Sequence, residues 1–323
     1  MESWLTSRRK FAMTEYAIDV HGLVKRFGDK AAVNGISIQM PRGQVWGFLG
    51  PNGSGKTTTI RMICGLLKVS EGSGTCLNFD IVSESKKIKA LTGYMTQKFS
   101  FWEDLTIREN IEFVGRLYQL EGLRKCVDQT LETLGLIDRR YQLAGDLSGG
   151  WKQRMALAAV TMHKPELLLL DEPTAGVDPQ ARREFWDQIH NLTSQGMTVL
   201  VSTHYMDEAE RCDEIVYLAN GQLITQGRVN DIIDQSGLVT FRAEGVGVRR
   251  LSEVVGSEPG VDYVSYFGSA LHVSGADADL IERALKKVGN AEEEILWEQV
   301  RPSLEDTFIA LMGRAGIDER SRT

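Results

Sequence analysis

Residues 50–57 read Gly50-Pro51-Asn52-Gly53-Ser54-Gly55-Lys56-Thr57, a complete G-x-x-x-x-G-K-[ST] pattern. These residue types suit the cradling of a polyphosphate. The glycines let consecutive backbone N–H groups turn inward, Lys56 supplies a point charge, and the Thr57 hydroxyl is a hard oxygen ligand for Mg²⁺. The pattern follows an apolar run, Val45-Trp46-Gly47-Phe48-Leu49, that reads as a buried strand. It opens a periodic segment, Thr57 to Leu67, that reads as a helix whose N-terminus adds partial positive charge at the same spot. Strand, loop and helix in that order predict a nucleoside triphosphate as ligand.

A second constellation lies at Leu168-Leu169-Leu170-Asp171-Glu172-Pro173. Two adjacent carboxylates close a wholly apolar strand, at the carboxyl edge of a parallel sheet where they can face the phosphate loop. Alone, the pair fits an acidic turn or helix cap. Beside a phosphate loop, Asp171 is predicted to hold Mg²⁺ and Glu172 to act as general base on the attacking water.

Between these motifs, Leu147-Ser148-Gly149-Gly150-Trp151-Lys152-Gln153-Arg154 opens a helix running to Met162. Ser148 is a good N-cap, so a plain helix start is one reading. In the other, Ser148 and the glycine amides form a second anion site. One triphosphate seldom needs two such sites in one chain, so this one is expected to meet the nucleotide of a neighbouring subunit.

The elements that must position these residues alternate between strand and helix. Residues 17–22 and 31–40 read as strands around a Gly28-Asp29-Lys30 turn, and Gly93 to Gln97 as a strand ending. Residues 106–135 have helical periodicity, within a helical insertion at about 98–162. A helix at 179–194 and strands at 197–202 and 214–218 complete a mostly parallel α/β unit. A break near Ser236-Gly237 precedes a smaller domain over 238–313. Its order matches a β-α-β-β-α-β ferredoxin-like unit, followed by a helix capped by Ser303 with Asp306. Residues 1–13 and 314–323 read as tails, with Met13 an alternative start.

Composition narrows the class. The chain has 323 residues, is 42% hydrophobic and carries a net charge of −7, with no block of Lys and Arg to track nucleic acid. No apolar run is long enough for a membrane span, and none near the start reads as a secretory signal. The cysteines, Cys64, Cys76, Cys126 and Cys212, lack metal or redox spacing and are expected to be reduced cytosolic thiols.

Taken in order, the motifs over residues 14–235 resemble the ATP-binding subunits of ATP-binding cassette (ABC) transporters. The resemblance rests on the phosphate loop, Gln97 after a strand, Leu147-Ser148-Gly149-Gly150, Asp171-Glu172, Gly176-Val177-Asp178 and His204. It implies an α/β P-loop nucleotide-binding domain with a helical subdomain. It also implies that residues 50–57 and Thr58 contact ATP, and that Phe27 stacks on adenine, although a lone Phe also fits core packing. Gln97 is implied to touch Mg²⁺ and water, Asp178 to sit at a dimer interface, and His204 to contact the γ-phosphate. Trp151 departs from the signature, which often has Gln there; the anion-binding atoms belong to Ser148 and the glycines, so little loss is expected, although a Trp there could change how that helix packs. Phe99-Ser100-Phe101-Trp102 suggests a groove for a partner's helix or, equally, core side chains beneath the insertion.

The segment Pro302-Ser303-Leu304-Glu305-Asp306-Thr307-Phe308 looks like the C-terminal signature of subunits serving ABC-2 type exporters, including drug-resistance ATPases. The implied partners are a separate ABC-2 type permease and a second ATPase subunit, a homodimer being expected, at the cytoplasmic face of the membrane. A soluble cassette ATPase working on ribosomes or DNA and an importer ATPase are the rival readings.

Overall fold

The computed structural model describes residues 15–98, 100–245, 248–289 and 295–314. The expected N-terminal tail with Met13, the loop residue Phe99 and residues 315–323 lie outside these. The chain divides into two compact units, Met1–Leu223 and Ile224–Thr323.

The first unit opens with an antiparallel hairpin of β1 (Tyr16–Phe27) and β2 (Lys30–Pro41), followed by β3 (Val45–Leu49) and α1 (Lys56–Ile63). Next come β4 (Glu71–Cys76), β5 (Phe79–Asp80), α2 (Ser85–Ala90) and β6 (Thr92–Met95). The helical insertion supplies α3 (Ile107–Leu117), α4 (Leu123–Thr133) and α5 (Gly149–Thr161). After it run β7 (Leu167–Asp171), α6 (Pro179–Ser194), β8 (Thr198–Thr203), α7 (Met206–Ala209) and β9 (Glu214–Ala219), and the division between the units falls within β10 (Gln222–Gly227).

Strands β3, β7 and β8 are buried at every residue, as expected for parallel strands covered on both faces. They lie in a six-stranded sheet of order β10-β9-β3-β8-β7-β6. Its registers align Leu49 with Thr203, Asp171 with Ser202, and Leu170 with Met95. Parallel strands share a carboxyl edge, so the segments after β3, β6, β7 and β8 emerge side by side there.

A second sheet has order β2-β1-β4-β5. Strand β4, Glu71-Gly72-Ser73-Gly74-Thr75-Cys76, carries little apolar patterning. It pairs because Gly74 (φ +147°) brings its backbone against β1, where a Cβ would lie 2.3 Å from the Asp19 carbonyl oxygen. In the insertion, a capping box of Thr106 and Glu109 starts α3. Buried Asn110 ties the preceding loop: its amide donates to the Trp102 carbonyl and its Oδ1 accepts from Trp102 N–H.

The second unit contains α8 (Val229–Gln235), β11 (Val239–Glu244), α9 (Val248–Val255), β12 (Tyr263–Phe267) and β13 (Ala270–Gly275). It ends with α10 (Ala278–Gly289), β14 (Glu298–Val300) and α11 (Leu304–Arg314). The Ser236-Gly237 break marks the end of α8. The sheet order is β12-β13-β11-β14 with antiparallel neighbours, the arrangement of a β-α-β-β-α-β ferredoxin-like unit. Phe241, Leu271, Val273, Ile281 and Leu285 form its core. Ser303 and Asp306 cap α11 reciprocally: Ser303 N–H donates to Asp306 Oδ2 at 2.9 Å, and Asp306 N–H to Ser303 Oγ at 3.0 Å.

Candidate nucleotide site

The phosphate loop turns into α1 at Gly55, in the left-handed region at φ 104°. A Cβ there would sit 2.7 Å from the Ala32 carbonyl oxygen of β2, so only glycine permits the approach. Lys56 is the first residue of α1 and only 6% exposed. Its Nζ donates to the carbonyls of Gly50 at 2.7 Å and Pro51 at 3.2 Å. Burial pushes its pKa below the usual lysine value, and the charges of Glu172 and Asp171 oppose that shift. The hydroxyl of Ser54 is buried in the same loop without a hydrogen-bond partner.

Asp171, at the end of β7, is ringed by hydroxyls. Thr57 Oγ1 donates to its Oδ1 at 3.0 Å, and Ser202 Oγ donates to the same oxygen at 2.6 Å. Tyr94 OH donates to Oδ2 at 3.2 Å and accepts from Arg61 Nε at 3.2 Å. Sequence reasoning assigned no role to Ser202, Tyr94 or Arg61. Ser202 meets Asp171 through strand register, which no local pattern announces. The oxygen donors Thr57 and Asp171 fit Mg²⁺, which is usually held by one or two carboxylates plus substrate phosphate.

Glu172 occupies the left-handed region at φ 47°, unusual for a residue with a side chain. Its N–H donates to the Ser202 carbonyl at 3.0 Å. Such a conformation costs about 1–3 kcal/mol and persists where the surroundings over-determine it. Its Oε2 accepts from Gln97 Nε2 at 2.8 Å, and its Oε1 lies 3.5 Å from His204 Nδ1. Gln97, Glu172 and His204 thus converge from the ends of β6, β7 and β8, three adjacent strands.

Phe27 closes β1 with its ring 55% exposed and Lys25 Nζ 5.2 Å from the centroid. Its exposure removes core packing as the alternative. The hairpin it belongs to reaches the phosphate loop through Ala32.

Ser148 and Asp178 are placed elsewhere. With Gly150 and Trp151 they line a separate cleft of about 320 Å³ that includes no phosphate-loop residue. Ser148 does precede α5, but its hydroxyl makes no capping bond, so the N-cap reading is corrected in that respect. The amides of Gly149 and Gly150 begin the helix, and Gly150 packs close to Ala181 of α6. Asp178 caps α6 by accepting from the N–H groups of Gln180 and Ala181. The guanidinium groups of Arg139 and Arg154 lie over the Trp151 ring, 4.5 and 4.7 Å from its centroid.

Of the aromatic loop, Trp102 is 46% exposed and meets exposed Phe113 edge-on at 4.4 Å. Cys64, Cys76, Cys126 and Cys212 are all free thiols. No helix among the described residues is long and apolar enough to cross a membrane.

A family model described as ABC transporter matches residues 33–175. The Nod factor export ATP-binding protein I of Rhizobium sp. (strain N33) is 34% identical over 306 residues, covering 94% of this chain and 99% of that protein. The chain belongs to the ATP-binding subunits of ABC transporters. The probable multidrug ABC transporter ATP-binding protein YbhF of Escherichia coli (strain K12) is 43% identical over 224 residues. That match covers 69% of this ABC subunit but only 39% of YbhF. Among solved structures, cbiO1 of Clostridium perfringens, part of the ABC transporter complex cbiONQ, superposes with a TM-score of 0.63 at 28% identity. The superposition covers 68% of this ABC subunit and 92% of cbiO1.

Proposed function

We propose that this ABC subunit hydrolyses ATP as one half of a head-to-tail pair and thereby drives export through a separate ABC-2 type permease. The observation that carries this reading is the separation of two clusters within one chain. Lys56, Thr57, Asp171, Glu172, Gln97 and His204 converge at one sheet edge, while Ser148, Gly150 and Asp178 border a different cleft. A partner subunit, most simply a second copy, brings its Ser148 helix to the first subunit's triphosphate, so each nucleotide bridges two chains.

Within the site, the loop from Gly50 to Thr58 and the Lys56 ammonium bind the phosphates, and Phe27 packs on the base. Thr57, Asp171 and Gln97 would hold Mg²⁺, which when bound neutralises charge on the β- and γ-phosphate oxygens. Glu172 orients a water and takes its proton as the water oxygen attacks the γ-phosphorus and the bond to the β-γ bridging oxygen breaks. His204 donates to a γ-phosphate oxygen. Catalysis is mainly positioning and charge stabilisation.

The permease reading is supported by the exposed Trp102–Phe113 pair, which suits an apolar helix face, by the export function printed in the name of the Nod factor relative, and by the multidrug transporter named for YbhF. Such a subunit works at the cytoplasmic face of the membrane. The antiparallel α+β sheet of the second unit disfavours the importer reading, whose C-terminal domains are expected to be small β-barrels. The chain's acidic balance and lack of a Lys/Arg block disfavour work on nucleic acid.

The deciding experiment is Glu172→Gln. Turnover should fall at least about a hundredfold while ATP still binds and an ATP-held dimer accumulates in size-exclusion chromatography. Rapid hydrolysis by this variant, or hydrolysis by a strictly monomeric wild-type chain, would overturn the assignment.

A further inference from the structure

Glu208 is 1% exposed, sits on α7, and spends its carboxylate on two different catalytic segments. Its Oε2 accepts a hydrogen bond from Thr203 Oγ1 at 2.7 Å, and its Oε1 accepts one from Thr174 Oγ1. Thr203 immediately precedes His204, and its oxygen also accepts from Tyr205 N–H at 3.0 Å, so the backbone on both sides of His204 is tethered. Thr174 lies two residues beyond Glu172, in the turn where Ala175 N–H donates to the Glu172 carbonyl at 3.3 Å. The same turn runs through Val177, whose N–H donates to the Thr174 carbonyl, and into Asp178. Arg182 of α6 adds the counter-charge: its Nε lies 3.7 Å from Glu208 Oε1, its Nη1 donates to Asp207 Oδ2, and its guanidinium stacks over Tyr205.

We propose that Glu208 is a positioning residue that locks the Glu172 turn to the His204 strand end, setting the distance between base and histidine. The proposal rests on the reading of Glu172 and His204 given above. Glu172 has a left-handed backbone that a free turn would not keep, so its side-chain direction depends on what holds residues 173–175. The hydroxyls of Thr174 and Thr203 are both nearly inaccessible, and a single carboxylate with two acceptor oxygens satisfies them together. Moving either segment breaks a buried hydrogen bond, so the two segments shift together.

The test uses the full chain, assayed well below its melting temperature. Glu208→Gln retains the shape but replaces one acceptor oxygen with a donor. It should lower kcat about tenfold or more while ATP affinity, measured by calorimetry without Mg²⁺, stays within about twofold. In a His204→Ala background the same substitution should cost little further kcat, because the lost alignment has no partner left to serve. An equal loss in both backgrounds, or a lower melting temperature with unchanged kcat, would show a structural acid and overturn the proposal. Should Glu208→Gln fail to fold, Thr174→Val and Thr203→Val carry the test: each should lower kcat, and wild-type kcat in both overturns it. Turnover that survives Glu172→Gln defeats the site itself. Normal turnover by Glu208→Gln, beside an inactive Glu172→Gln, defeats only the lock.

Discussion

Gln97 Nε2 donates to Glu172 Oε2 at 2.8 Å, joining the segments that follow two neighbouring strands. The carboxylate keeps its other oxygen toward His204, so one face of Glu172 is fixed by an amide and the other faces the imidazole. Gln97→Ala should free the Glu172 side chain and lower kcat about tenfold with little change in ATP affinity measured without Mg²⁺. Steady-state kinetics with a parallel binding titration checks this, and an unaltered kcat would detach Gln97 from the reaction.

Lys56 is a cation held inside the phosphate loop by two carbonyls. Lys56→Ala removes the phosphate counter-charge and should weaken ATP binding about tenfold or more. Mixing that variant with Ser148→Arg tests the shared site. In a verified heterodimer one chain still offers Lys56 and the other still offers Ser148, so one composite site is intact and hydrolysis should return. Heterodimers as inactive as either parent would rule out sharing.

His163 stacks on Tyr118 with ring centroids 4.0 Å apart and planes 6° from parallel. Burial pushes its imidazole below the ordinary value of 6.5, with a backbone contact to Thr92 opposing in part. The unfolded chain therefore takes up a proton first as pH falls. Stability from this site is complete above pH 6.5 and is lost between 6.5 and the depressed native value. His163→Phe preserves the stack without a titrating group. From about pH 7.5 to about pH 5.5 the wild-type melting temperature should drop further than that of the variant. Parallel pH responses would refute this.

Asp306 is fully buried and accepts from Ser303 N–H, Ser303 Oγ at 2.8 Å and the His272 ring at 3.1 Å. Asp306→Ala orphans these groups and should cost roughly 2–4 kcal/mol. Hydrogen exchange should report faster opening of α11, and undiminished protection there would contradict the capping account.

What was legible in the sequence is what depends on near neighbours. Gly50 to Thr57 dictates a phosphate-binding turn because its glycines and helix start act within a few residues, and Leu167 to Leu170 announces a doubly covered strand by its unbroken apolar run. The reciprocal cap of Ser303 and Asp306 is equally local. Strand β4 escaped notice because glycines replace its apolar pattern, and its pairing depends on the close approach of β1. Only the tertiary structure decided which distant groups meet. Register carried Ser202 to Asp171, the end of β6 carried Gln97 to Glu172, and α7 carried Glu208 to the hydroxyls of both Thr174 and Thr203. The tertiary structure also left Ser148 in a cleft apart from Lys56. The physical reason is that a parallel sheet orders its strands by crossover rather than by chain neighbourhood. Contacts at its carboxyl edge join residues far apart in the chain, 114 positions in the case of Thr57 and Asp171, and no local window along the chain contains both.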